Sequence, residues 1–280
     1  QIFRLIRMFN KSSNFFRLIH QYFCHRVLLD KHEKDFIKFN KEKWKKKDIN
    51  SKGVILVDLF HWNPWIYFWT YITNILSIKY NLQIKYFYFD FYQTKGSKIS
   101  LYIRKLIKIF ESFNVQKGLT EYEFKYSATE KKIFDNLFTK IKNKKDLINF
   151  RLSNLKIGDL IYDNYIRTTF EPTLKLEDKR LRIMFYRANK IYHEVNKFFK
   201  ENNVKFLIPS HLCYISYGII SRIALKHNIK VIKVKSENGG KSLFRLIKID
   251  KKSVDEPTYY FHKKNFKKLS KKQKNMGLKI

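Results

Sequence analysis

Two histidines each follow an apolar segment of the chain, at positions where a parallel sheet would present them together. His61 comes just after residues 54–60, and His211 comes just after residues 204–209. The carboxyl ends of neighbouring parallel strands border the crevice in which open α/β sheets bind ligands. A histidine there can act as a general base or bind a hydroxyl or phosphate group. Either histidine could equally cap a helix or hydrogen-bond within its own loop.

Polar side chains near the two histidines could hold a substrate. Asn63 follows the first histidine and also suits a helix N-terminus, and Ser210, a natural N-cap, precedes the second. Arg222 lies in an apolar segment, where it could pair with a carboxylate or sit at a helix surface. The candidates for substrate binding in these segments are Asn63, Ser210, Tyr214 and Arg222.

A third polar cluster is the sequence GDLIYDNYIR at residues 158–167. Its apolar residues predict that it forms a strand or a turn into a helix. It combines two carboxylates, two tyrosines and an arginine. Either aspartate could act as a base or bind sugar hydroxyls, and the tyrosine rings could stack on a sugar. The alternative is an aspartate that caps a helix beside core tyrosines. We take Asp163 as a catalytic candidate, with four binding candidates: Asp159, Tyr162, Tyr165 and Arg167.

The segment that should position His211 is a strand–helix–strand unit. Residues 204–209 and 229–234 are rich in β-branched and aromatic residues, and residues 212–227 form an apolar helix with small side chains. Strands joined by such a helix should be parallel, with a right-handed crossover. Residues 54–90 have the same pattern, with a helix at 65–80 between two strands. We therefore predict an α/β fold, a Rossmann-like parallel sheet flanked by helices.

Outside the two strand–helix–strand units, the sequence predicts helices and one further strand. Residues 53–78 lack Lys and Arg over a length that could cross a bilayer, but Asp58 and the polar residues after it disfavour a membrane span. Further helices are predicted at 1–29, 99–113, 127–149, 176–203 and 262–275, a turn at 239–240 and a strand at 243–249.

The charge of the chain admits two explanations. The net charge is +35 over 280 residues, which could attract an anionic partner such as lipid or nucleotide phosphate. However, Lys, Asn, Ile, Phe and Tyr all have A/T-rich codons, and the lysines are spread over every segment, so composition bias explains the charge better. Cys24 and Cys213 are too few for a disulfide framework or a zinc site. We predict no cofactor and no metal, because no complete catalytic or glycine-rich phosphate motif is present.

GDLIYDNYIR and the later segment IPSHLCYISYGIISRIALKHNIKVI together resemble the N-terminal half of bacterial capsular and surface polysaccharide biosynthesis proteins of the glycosyltransferase-B type. The resemblance covers roughly residues 53–235. It implies a Rossmann-like half that holds the acceptor, a second half that binds a nucleotide-sugar, and metal-independent transfer. The residues after Val234 are too few for that second half, so we expect a fragment or a degenerate relative without a donor site.

These observations give three domains and two classes of function. We expect a basic amphipathic helical extension (1–50), a Rossmann-like domain (51–250) and a Lys-rich helical tail or the start of a second domain (251–280). The first hypothesis is the acceptor-side domain of a glycosyltransferase, cytoplasmic or peripheral at the inner membrane face, with a nucleotide-sugar donor, a saccharide acceptor and contact with anionic lipid. The alternative is a basic nucleic-acid-binding or other Rossmann-like binding protein, although no nucleic-acid module is present.

Overall fold

A six-stranded, mostly parallel sheet forms the centre of the molecule. The structure, a computed structural model, describes residues 28–44, 51–59, 63–90, 101–237 and 242–250. The described strands are β1 (Val54–Asp58), β2 (Gln83–Tyr88), β3 (Val115–Thr120), β4 (Arg151–Leu152), β5 (Leu155–Lys156), β6 (Val204–Ile208), β7 (Lys230–Glu237) and β8 (Ser242–Ile249). The order of the large sheet is β3-β2-β1-β6-β7-β8, and β4 and β5 form a separate antiparallel hairpin.

The order of the strands creates a switch point between β1 and β6. From β1 the chain continues to β2 and β3 on one side, and it then returns to β6 on the other side. All pairs from β3 to β7 are parallel, and only β8 is antiparallel. The predicted Rossmann-like α/β fold is therefore confirmed, as is the expectation that residues 54–60 and 204–209 contribute strands to one sheet.

Helices cover both faces of this sheet. They are α1 (Lys31–Lys43), α2 (Asn63–Tyr80), α3 (Leu101–Glu111), α4 (Ala128–Phe138), α5 (Lys144–Asn149), α6 (Gly158–Thr169), α7 (Lys179–Glu201) and α8 (Ile219–Lys226). Because alternate residues of a strand point to opposite faces, Leu56 enters a core shared with α6, α7 and α8, whereas Ile55 enters one shared with α2 and α3. Every residue of β1 is buried, as expected for a central parallel strand.

Side-chain caps define where several helices begin. The Asp30 carboxylate accepts from the backbone N–H of Glu33, which in turn accepts from the N–H of Asp30, and Ser127 and Glu130 form the same capping box on α4. Asp178 caps α7 by accepting from the backbone N–H of Arg180. Such caps satisfy backbone N–H groups that the helix itself leaves without an acceptor.

The structure differs from the prediction in several elements, and one of these is the unpredicted hairpin of β4 and β5. Strand β3 was not predicted, because its sequence VQKGLT contains polar residues and a glycine. The predicted helix at 127–149 is divided into α4 and α5, since Asn143 caps a new helix by accepting from the N–H of Asp146. The predicted helix at 212–227 begins with a π-helical turn, Tyr214–Gly218, so Ser210 is not its N-cap. The predicted helices at 1–29 and 262–275 and the turn at 239–240 lie outside the described residues, apart from Leu28 and Leu29.

Candidate functional site

The carboxyl edge of the sheet at the switch point brings Asp58 and Ser210 together. Asp58 is the last residue of β1, and Ser210 follows β6 by two residues. The strands are in register, with Val57 opposite Ile208, so the two polar residues emerge at the same edge. This is the place where open α/β sheets usually bind their ligands.

Asp58 is a buried carboxylate that depends on Ser210 for hydrogen bonds. Only 2% of its surface is exposed. The backbone N–H of Ser210 donates to Oδ2 of Asp58 at 3.2 Å, and the Ser210 hydroxyl donates to the same oxygen. Burial raises the pKa of Asp58 to about 7, and the two bonds from Ser210 only partly oppose that rise. Asp58 can therefore exchange a proton near neutral pH.

His211 extends this hydrogen-bonded chain toward the surface. Its Nδ1 lies 3.0 Å from Oγ of Ser210, and its ring packs against Tyr217 with 5.2 Å between ring centroids. When Asp58 is ionised, the Ser210 hydroxyl donates to it and the His211 Nδ1–H can donate to Ser210. When Asp58 is protonated, the bonds can run in the opposite direction. The arrangement can thus pass a proton between Asp58 and the imidazole.

Three tyrosines lie around this hydrogen-bonded chain. Tyr88, at the end of β2, stacks on Tyr122 with ring centroids 5.5 Å apart and planes 15° apart. Burial raises the pKa of Tyr88 and of Tyr122, and burial together with the nearby Asp58 raises the pKa of Tyr217. The three phenols therefore stay protonated at neutral pH and can donate hydrogen bonds.

Arg187 fixes the surrounding loops. It is 4% exposed and extends from α7 to the ends of β2 and β3. Its guanidinium binds the Glu121 carboxylate, donates to the backbone carbonyl of Asp90 and donates to Ser216 Oγ at 2.9 Å. One ion therefore joins three segments of the carboxyl edge, which favours a single arrangement of the groups that face the crevice.

The predicted cluster GDLIYDNYIR folds as α6 and packs beside the π-helical turn. A Cβ on Gly218 would lie 2.5 Å from Cδ2 of Leu160, so only glycine allows this close approach of the turn to α6. Asp159, in the first turn of α6, receives two hydrogen bonds of 2.7 Å from Arg222. Arg222 also donates to the carbonyl of Lys156 at 2.7 Å. The two predicted substrate-binding residues Asp159 and Arg222 therefore bind each other.

The remaining predicted residues are divided between the surface and the core. Asp163 and Arg167 are exposed on α6. The surrounding protein raises the pKa of the Asp163 carboxyl, and the negative charge of the neighbouring Asp159 raises it further. In addition to burial, the charge of Asp163 helps to raise the pKa of the half-buried Tyr214. The Tyr162 ring lies 4.6 Å from Nζ of Lys144. Asn63 is the first residue of α2, but its side chain is not among the parts that the structure describes. His61 lies outside the described residues.

Tyr165 is a core residue whose hydroxyl stabilises a helix cap. The residue is fully buried, and its hydroxyl donates to Oδ2 of Asp178, the cap of α7, at 2.9 Å. We expect Tyr165→Phe to lower the free energy of unfolding by about 1 kcal/mol, the usual net value of one hydrogen bond. Urea unfolding of both proteins would measure it. A loss of saccharide binding without loss of stability would instead favour the predicted substrate role.

Sequence reasoning missed several residues of this site, including Asp58. The available signal was an aspartate that ends an apolar strand segment, VILVD, next to a crossover. Two other groups, Tyr217 and Arg187, lie in helical segments and gave no comparable signal. Tyr217 does fall within the segment on which the resemblance rests.

Comparison with protein-family models, with curated proteins and with solved structures finds no match for this chain. Within the described part of the chain, no helix is both long enough and apolar enough to cross a membrane. In the same residues, no group of three or more His, Cys, Asp or Glu side chains could hold a metal ion.

Proposed function

We propose that this chain is the acceptor-side domain of a glycosyltransferase that builds cell-surface polysaccharide. The observation that carries the proposal is the chain of hydrogen bonds from Asp58 through Ser210 to His211 at the switch point of the sheet. The resemblance of GDLIYDNYIR and of the segment around His211 to polysaccharide biosynthesis proteins supports the same class. The acceptor would be a saccharide, and the donor a nucleotide-sugar held outside this domain.

In this proposal His211 is the base that activates the acceptor hydroxyl. Because Nδ1 faces Ser210, Nε2 is the nitrogen that would meet the substrate. The acceptor oxygen bonds to the anomeric carbon of the donor sugar, the bond from that carbon to the nucleotide diphosphate breaks, and the hydroxyl proton passes to Nε2. Nδ1–H then donates to Ser210, whose hydroxyl donates to ionised Asp58, so the buried charge stabilises the imidazolium.

Other groups at this edge have supporting roles. Tyr217 packs on the His211 ring and, with Tyr88, would offer hydrogen bonds and a flat surface to a sugar. Asp163 is the second candidate base, but it is exposed and no hydrogen bond from another described residue orients its carboxylate. A net charge of +35 would favour contact with anionic lipid at the inner membrane face.

His211→Gln tests this function most directly. We expect the variant to bind the saccharide acceptor as the wild type does, but to transfer sugar about a hundred-fold more slowly or worse, the usual loss for a general base. Binding would be measured by titration with oligosaccharides from bacterial surface polysaccharides, and transfer with a panel of labelled nucleotide-sugars and the full-length protein. The matched control is His32→Gln, on the exposed side of α1.

Two results would contradict the proposal. The first is that no surface oligosaccharide binds saturably to the wild type. The second is that transfer occurs and His211→Gln slows it no more than His32→Gln does. In the second case an equivalent test with Asp163→Asn would show whether the other candidate base carries the reaction.

A further inference from the structure

A second concave site lies at the opposite edge of the sheet, far from Asp58 and Ser210. A cavity of about 790 Å³ opens where β6 and β7 begin and where α2, α7 and α8 end. Its volume is within the range of small-molecule sites, roughly 300–1,000 Å³. It is therefore large enough for one small ligand.

The lining of this cavity is strongly basic. Lys52, Lys200, Lys205 and Lys230 line it and are exposed, and Glu201 is its only carboxylate among the described residues. Glu201 itself faces Lys197, at 4.0 Å. Within the described part of the chain, no ion pair neutralises any of the four lysines.

Compensation of helix dipoles explains only one of these lysines. The carboxyl end of a helix carries partial negative charge, which a lysine in the last turn offsets, and Lys200 occupies that position on α7. The other three precede or belong to strands of the sheet, so none of them occupies the last turn of a helix. They form a row across the neighbouring strands β1, β6 and β7. An anionic ligand would account for that row.

A bulge in β6 directs Lys205 to this site. Val204 pairs with Val54 and Phe206 pairs with Ile55, so Lys205 is an extra residue in β6. Bulges commonly redirect a side chain in this way. A Cβ on Gly53, just before β1, would lie 2.5 Å from the carbonyl oxygen of Asn203 and 3.1 Å from Cγ of Lys205. Glycine at position 53 thus leaves room for the lysine.

Aromatic surface adjoins the lysines. Tyr80 is 42% exposed, and its ring packs on Phe206 with 5.3 Å between centroids. The Lys230 ammonium lies 5.5 Å from the centre of the Phe206 ring. His227, held by Asn196 at 3.1 Å, also lines the cavity. Burial and the charges of Lys226 and Lys200 lower the pKa of His227, as expected for a histidine near several positive charges.

We infer that this cavity binds a small phosphorylated ligand of the nucleotide class. The phosphate groups would lie among Lys52, Lys205 and Lys230, and the base would stack against Tyr80. Lysines bind phosphate as point charges, and base–aromatic stacking adds attraction that does not depend on sequence. The site is independent of the acceptor edge, so its failure and the failure of the glycosyltransferase proposal are separate outcomes.

Calorimetric titration of the full chain with ADP, UDP and pyrophosphate, at about 50 mM and about 200 mM salt, tests this inference. We expect saturable one-to-one nucleotide binding that weakens as salt rises. Lys205→Gln combined with Lys230→Gln should weaken it about ten-fold or more. Tyr80→Leu should weaken it about ten-fold through lost stacking. The control pair Lys131→Gln and Lys132→Gln, on the exposed face of α4, should stay within about two-fold.

A second measurement reads the site itself. The pKa of His227, measured by NMR, should rise when the nucleotide is bound, because a bound anion offsets the lysine charges. Three results would overturn the inference: no saturable binding, equal weakening by the α4 control pair, or pyrophosphate binding as tightly as the nucleotides. A single-stranded oligonucleotide that binds far more tightly, in a manner dependent on Lys205 and Lys230, would also overturn it in favour of a nucleic-acid groove.

Discussion

Arg222→Met is expected to lower the free energy of unfolding by about 3 kcal/mol or more, because it leaves the Asp159 carboxylate without its partner. The two side chains are only 4% and 18% exposed, and two bonds of 2.7 Å join them. Burial alone would raise the pKa of Asp159, but the Arg222 guanidinium lowers it below its ordinary value. The variant also removes a bond to the Lys156 carbonyl, which adds to the loss.

The matched control is the double variant Asp159→Leu with Arg222→Met. Because no unpaired charge remains, most of the lost stability should return, as is common when a buried ion pair is replaced by apolar residues. Urea unfolding of the two single variants and the double variant completes a double-mutant cycle. If Arg222→Met is as stable as the wild type but no longer binds a saccharide, the predicted substrate roles of Asp159 and Arg222 are favoured instead.

The central sheet could be predicted because its local signals agree. Around β6, α8 and β7, apolar runs of strand length flank a helix with small residues, and every level indicates the same unit. Strand β3 lacks these signals, since it lies at the edge of the sheet and pairs with β2 alone. Polar residues are tolerated at an edge, so its sequence resembles a loop. Whether residues 115–120 form a strand therefore depends on their pairing with β2, which the local sequence does not reveal.

The candidate site could be predicted only in part for a similar reason. His211 was recognisable because a histidine after a predicted strand is exceptional in an apolar segment. The role of Asp58 depends on the register of β1 with β6, which brings it to Ser210. Asp159 and Arg222 were recognised as polar residues in apolar surroundings, but sequence spacing gives no measure of whether such residues face a substrate or each other.

The basic cavity illustrates the same limit for charge. Along the sequence, Lys52, Lys205 and Lys230 are far apart and look like part of a uniform coat that codon bias could produce. The parallel pairing of β1, β6 and β7 places them side by side. A dispersed composition and a local cluster are therefore compatible, because topology, not sequence distance, decides which charges become neighbours.

Asp58→Asn is expected to stabilise the protein at alkaline pH while removing the proposed activity. The ordinary pKa of 3.8 rises to about 7 in the folded state. The folded state therefore binds more protons than the unfolded state between these values, and stability falls as pH rises from about 4 to about 7. Above that range, the buried ionised carboxylate costs on the order of 4 kcal/mol. An asparagine cannot ionise, and it keeps an oxygen that accepts from Ser210.

Urea unfolding at about pH 5 and about pH 8 measures this difference. The stability of Asp58→Asn relative to the wild type should increase by on the order of 3 kcal/mol between the two pH values. The exposed Asp35→Asn on α1 serves as the control and should show no such change. A parallel pH dependence of the wild type and Asp58→Asn would mean that Asp58 ionises at its ordinary pKa. In that case Asp58 would stay ionised at neutral pH, and the proton exchange between Asp58 and His211 inferred for the switch point would lose its support.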